Sequence, residues 1–160
     1  GVSPAEVRFL RRCGGCGSTD HGKPVPCGPD GAVLSASLSH SAAYALVAIS
    51  DDPRVPVGVD VERVRPHMDW SAIPCVQGGR VTHGFEQWTR AEALVKAAGT
   101  GLSRTPPSYT GRAFGSWRAA RVPRSDQEWY VRSVRAPEGY TASVATSVVD
   151  ARVTLAQWRP

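Results

Sequence analysis

Asp60 and Glu62 stand two apart in the valine-rich segment VPVGVDVER. On a strand, residues two apart share a face, so both carboxylates project to one side while Val59 and Val61 project to the other, towards a core. Glu92 and Lys96 stand four apart in FEQWTRAEALVKAA and share one face of a helix. Three carboxylates converging from a strand and a helix make an oxygen-donor set suited to Mg²⁺. That ion takes few protein carboxylates and fills its shell with water and phosphate oxygens. A lysine beside such a set suits a phosphate leaving group. On spacing alone the blander readings stand beside this one: D-x-E as a solvated strand face, and Glu92–Lys96 as a surface ion pair.

The elements that must position these groups read as follows. Residues 1–12 resemble the end of a helix, with Val7 and Leu10 opposite Arg8, Arg11 and Arg12. Residues 13–32 are dense in glycine and proline and predict no regular structure. Ser39, His40 and Ser41 precede a small-residue run that begins a helix or continues a strand, and Tyr44–Ile49 is apolar and strand-compatible. Val55–Val61 predicts a strand. Residues 63–84, with Pro66, Pro74 and Gly78-Gly79, predict an irregular connection. Phe85–Ala98 predicts a helix stopped by Gly99. From about Arg112 three strand-like stretches separated by Pro or Gly turns predict an antiparallel meander. The fold class is α+β. Trp117, Trp129 and Trp158 read as packing residues of the core or a sheet face rather than a base-stacking platform.

Composition bounds the rest. The chain has 160 residues, 41% hydrophobic and 21% charged, which suits a folded domain and excludes a disordered or fibrous class. No apolar run reaches the ~20 residues of a membrane helix, and the first residues lack the apolar stretch of a signal peptide, so a cytoplasmic protein is expected. The net charge is +5, carried by arginine: lysine occurs at Lys23 and Lys96 and nowhere else. Such an excess suits a polyanionic partner. Nucleic acid is disfavoured, because clustered carboxylates repel a phosphate backbone unless a cation intervenes. Cys13, Cys16, His21 and Cys27 invite a zinc reading, but C-x-x-C without a second paired knuckle argues against one. Cys75 reads as a loop thiol, and His67 and His83 as surface residues.

The order of the motifs adds a resemblance. HGKP (21–24), SLSHS (37–41), ALVAIS (45–50), VGVDVERVRP (57–66) and WTRAEALVKAAGTGL (88–102) resemble the 4′-phosphopantetheinyl transferase superfamily, in its surfactin-synthetase-type branch. The resemblance implies two similar α+β halves with antiparallel sheets, a pseudo-dimer: a shortened first half over 1–56 on the coenzyme A side and a second half over 57–160, forming one integrated unit. It implies transfer of the phosphopantetheine arm of coenzyme A to a serine of an acyl or peptidyl carrier protein. Asp60, Glu62 and Glu92 would hold Mg²⁺, Glu92 would also be the base, and Lys96 would face the diphosphate. Lys23, Ser39 and His40 would bind coenzyme A phosphates. The sequence departs from the family pattern in its short first half, in Ala91 where lysine usually precedes the glutamate (Arg90 lies one place earlier), and in the brief connection over 65–85. These departures motivate two alternatives: an enzyme of the same fold repurposed to a coenzyme A- or carrier-bound intermediate in natural-product biosynthesis, and a non-catalytic coenzyme A-binding protein.

Overall fold

A computed structural model describes residues 3–13, 16–71, 73, 75–76, 81–101 and 105–157, with only the backbone of Arg12. Trp158, Pro74 and Gly78-Gly79 lie outside the described residues. The fold is α+β with antiparallel sheets. Its centre is a five-stranded sheet of β5 (Val57–Arg63), β6 (Ser108–Phe114), β7 (Trp117–Arg121), β8 (Glu128–Val134) and β9 (Tyr140–Thr146), ordered β5-β9-β8-β7-β6. The expected meander is therefore present with one more strand, because Gly115-Ser116 turns the stretch around Phe114 and Trp117 into a hairpin. Gly115 has φ +58°, which a two-residue hairpin turn of this hand requires.

Helix α1 (Val81–Ala98) lies across one face of this sheet. Ala93, Leu94, Val95 and Ala97 pack on Ala120, Val122, Trp129, Val131 and Ala145. The opposite face carries a second cluster, in which Val57, Val59, Trp117 and Val144 meet Leu46 and Ala48. Trp117 and Trp129 are thus core residues, as expected. β5 is covered on both faces, which explains why Asp60 is buried as deeply as its valine neighbours. Gly58 is needed for this arrangement. A Cβ there would lie 2.1 Å from the carbonyl oxygen of Ala93 and 2.3 Å from the nitrogen of Ala97, so α1 rests directly on the backbone of β5.

Residues before Val57 form two hairpins, β1 (Arg8–Arg12) with β2 (Lys23–Cys27) and β3 (Ala36–Ser41) with β4 (Tyr44–Ile49). Two expectations are corrected here. In place of the helix end expected over 1–12, the described residues 3–12 hold a 3₁₀ turn, Pro4–Glu6, followed by a strand. Within 13–32, Lys23–Cys27 is a regular strand despite Pro24 and Pro26. Prolines two apart face the same strand edge, and the carbonyl of Pro26 points away from β1 to accept from the N–H of Leu34. The missing N–H groups therefore face away from β1, and the β1–β2 ladder loses nothing. The open choice at 37–41 resolves to a strand. Among the described residues the portion before Val57 has no α-helix, so a repeat of the β5–β9 portion is not visible there. No helix among the described residues is long and apolar enough to cross a membrane.

Candidate functional site

The serines of β3 do unusual work. Ser37, Ser39 and Ser41 alternate with Leu38 and His40, and their hydroxyls accept hydrogen bonds from the N–H groups of Val59 (3.1 Å), Val61 (3.3 Å) and Arg63 (3.1 Å). β5 is an edge strand of its sheet, and this row of hydroxyls satisfies the N–H groups that a neighbouring strand would otherwise take. Two of the same hydroxyls then donate onward. Ser39 Oγ donates to Asp60 Oδ1 at 2.7 Å, and Ser41 Oγ donates to Glu62 Oε2 at 2.8 Å. The period of two in β3 thus meets the period of two in β5 and orients both carboxylates.

From the other side, Lys96 Nζ donates to Asp60 Oδ1 at 2.6 Å. The second oxygen, Asp60 Oδ2, is buried without a hydrogen-bond partner. Burial pushes the Asp60 carboxyl up, against the opposing pull of Lys96 and Ser39. Glu92 is pushed up to about 7, first by burial and then by the charge of Asp60, with Lys96 opposing. Leu38, Ser39, His40, Asp60, Glu62, Trp88, Glu92 and Lys96 line one open cavity of about 280 Å³. The expected carboxylates, the histidine, one serine and one lysine therefore come together.

Lys23 lies elsewhere. Its ammonium donates to the carbonyl of Val57 at 2.7 Å and to that of Ala97 at 3.5 Å, bridging β5 and α1 outside the cavity lining. Burial lowers it to about 8. Arg90 also turns away. Its guanidinium donates to Ser133 Oγ at 3.0 and 3.2 Å and sits 3.6 Å from Glu86, while Ala91 is buried. Neither residue preceding Glu92 brings a cation to the cavity. Burial pushes the Cys75 thiol up to about 11, and the charge of Glu92 adds more weakly to the rise.

Sequence reasoning missed Ser37 and Ser41, Gly58 and the cavity role of Trp88. The signal for the serines was present as S-x-S-x-S facing D-x-E at matched period. The signal for Gly58 was a lone glycine inside a valine strand, two residues from Asp60 and on its face.

A buried carboxylate oxygen without a donor, beside two further carboxylates, fits a small hard cation, which satisfies acceptors that have no hydrogen to receive. No family model matches the chain. Curated relatives do. The chain is similar to 4′-phosphopantetheinyl transferases. One from Bacillus subtilis is 24% identical over 94% of this chain and 67% of its own length. A second, 4′-phosphopantetheinyl transferase psf-1 of Bacillus pumilus, is 26% identical over 69% of this chain and 52% of its own. A third, 4′-phosphopantetheinyl transferase ffp of Bacillus subtilis, is 24% identical over 93% of this chain and 67% of its own. The chain thus spans between about half and two thirds of the length of these relatives.

Proposed function

We propose that this chain is a transferase that moves the 4′-phosphopantetheine arm of coenzyme A to a serine hydroxyl of an acyl or peptidyl carrier protein. The observation that carries the reading is the cavity in which Asp60, Glu62 and Glu92 converge with Lys96. Asp60, Glu62 and Glu92 would hold Mg²⁺ there. When bound, that ion neutralises diphosphate charge and screens the carboxylates from it.

The protein's own groups do the rest. The acceptor serine oxygen forms a bond to the phosphorus that bears pantetheine, and the bond from that phosphorus to the bridging oxygen breaks. The leaving group is 3′,5′-adenosine bisphosphate. Glu92, which lines the cavity, takes the serine proton directly or through water. Lys96, held on Asp60, is placed to meet charge that builds on the departing phosphate. Ser39 sets the angle of Asp60, and His40 at the cavity rim is available to a phosphate of coenzyme A. Lys23 is a second phosphate contact in this reading once its ammonium leaves the Val57 carbonyl. Residues 1–56 then form the coenzyme A side and residues 57–160 the side of the carboxylates, in a two-half arrangement. The test is to incubate the chain with coenzyme A, Mg²⁺ and an apo carrier protein and to weigh the carrier. A mass gain of one phosphopantetheine is expected, and no gain across several carriers with folded protein refutes the proposal.

A second reading keeps coenzyme A and changes the acceptor. It is favoured by Ala91, which is buried, and by Arg90, which is engaged with Ser133, so the position beside Glu92 offers an acceptor no cation. It predicts coenzyme A turnover with a small nucleophile where carriers gain no mass. Binding of coenzyme A with no turnover at all would instead mark a non-catalytic binding protein.

A further inference from the structure

Outside the cavity, three soft ligand atoms meet in the loop that joins β1 to β2. The thiols of Cys13 and Cys16 and a ring nitrogen of His21 all lie within 4.8 Å of one another. Cys16 Sγ and His21 Nε2 are 3.4 Å apart. A tetrahedral ion with Zn–S near 2.3 Å and Zn–N near 2.0–2.1 Å sets its ligand atoms about 3.5–3.8 Å apart, so the cluster needs little adjustment to close on one. The backbone is already wound for it. Cys13 N–H donates to the Ser18 carbonyl at 2.8 Å, and Gly17 N–H donates to the Cys13 carbonyl at 2.9 Å. Gly17, immediately after Cys16, has φ +75°, a left-handed conformation that glycine takes without a Cβ penalty.

We propose that Cys13, Cys16 and His21 form a binding site for Zn²⁺. The donor set selects the ion: two thiolates and an imidazole suit a borderline-soft cation, not the hard Mg²⁺ that carboxylates prefer. Two thiolates balance its charge. Sequence spacing argues against zinc for want of a second knuckle, but the site needs none, because the hairpin itself brings His21 back to Cys16. Cys27 is not the fourth ligand. β1 and β2 pair with Arg12 opposite Lys23 and Arg8 opposite Cys27, so Cys27 sits at the far end of the ladder, about 13 Å along the strand from Lys23. The fourth position is left to water. His21 lies two residues before Lys23, so the ion would clip the loop that delivers the Lys23 ammonium to Val57 and Ala97. This proposal is independent of the transferase reading, since none of its ligands lines the cavity.

The test is metal uptake by the whole chain under reducing conditions, with excess Mg²⁺ to occupy the carboxylates. One equivalent of Zn²⁺ is expected, with a rise in thermal midpoint that grows with free Zn²⁺. Co²⁺ in its place is expected to give thiolate-to-metal charge-transfer absorption and the intense visible bands of a tetrahedral site. Cys16→Ser and His21→Ala should each lose the stoichiometric ion and the midpoint rise, while Cys27→Ser and Cys75→Ser keep both. Alkylation supplies a readout that does not depend on the variants: Zn²⁺ should protect Cys13 and Cys16 and leave Cys27 reactive. Absence of stoichiometric uptake by the wild-type chain, uptake unchanged in Cys16→Ser and His21→Ala, or equal protection of Cys27 would each overturn the proposal.

Discussion

Leu94 and Leu38 carry the same side chain into opposite surroundings. Leu94 is 0% exposed between α1 and the five-stranded sheet, whereas Leu38 is 54% exposed on the β3–β4 hairpin. The contrast extends along both regions. In β5–β9 and α1 apolar residues face inward and pack as two clusters. In β3 the pattern is inverted: Ser37 and Ser39 are buried while Leu38 is not, and Val47 and Ile49 of β4 share its exposed face. One region is held by apolar burial. The β3–β4 hairpin meets that region through Leu46 and Ala48 and through the row of serine hydroxyls, two of which orient Asp60 and Glu62. Substitutions in the apolar clusters should therefore act on stability, and substitutions in the serine row on site geometry as well.

The largest expected effect separates the two most sharply. Glu92→Gln is expected to slow transfer to a carrier by roughly 10²–10⁴-fold, measured as initial rate, without loss of fold. In Mg²⁺-free buffer Glu92 is pushed up to about 7, chiefly by burial, and a bound Mg²⁺ should lower it by offsetting the neighbouring carboxylate charge, so a pH titration of the chain should shift downward on adding Mg²⁺. The sign of the stability effect without the ion follows from the same shift. Folded Glu92 holds its proton to about 7 against 4.5 for an unhindered carboxyl, so its stabilising contribution is complete below 4.5 and is lost as pH rises through 7. Thermal melts should then show Glu92→Gln gaining on wild type at pH 8 relative to pH 4.

Next come changes at the α1–β5 contact. Leu94→Ala is expected to lower unfolding free energy by about 2–5 kcal/mol in denaturant titration. Gly58→Ala is expected to lose about 3 kcal/mol and most activity together, because the added methyl meets helix backbone that has no rotamer to yield. Ser39→Ala strips one donor from Asp60 and leaves the Val61 N–H without its acceptor. About 1–3 kcal/mol of stability should go, with a fall in activity larger than that of Ser37→Ala, whose hydroxyl donates to neither carboxylate. At the small end, Leu38→Ala should stay within about 0.5 kcal/mol of wild type. A loss at Leu38 as large as at Leu94 would abolish the contrast between the regions.

How far these features could be read from the sequence follows the same division. α1, β5 and the meander announce themselves by period, because apolar burial against one partner writes a repeat into the chain. The pairing of Asp60, Glu62, Glu92 and Lys96 is legible for the same reason. β1 and β2 are not, since an Arg-rich strand and a Pro-containing strand owe their form to each other rather than to any core. Lys23 was expected at a phosphate. Its ammonium is spent on the carbonyls of Val57 and Ala97, 34 and 74 residues away in the chain, a long-range relation that no local pattern encodes.

The serine row beside β5 has a further consequence for how this chain behaves in a crowd. An open strand edge invites another chain to add a strand, the first step of edge-to-edge aggregation. At β5 three of the N–H groups that such an intruder needs are already engaged by Ser37, Ser39 and Ser41. At the opposite edge, β6 shifts register between Tyr109 and Ala113, around Gly111 at φ +80°, which spoils the flat template a second strand requires. The groups that aim the carboxylates thus also guard the sheet against polymerisation.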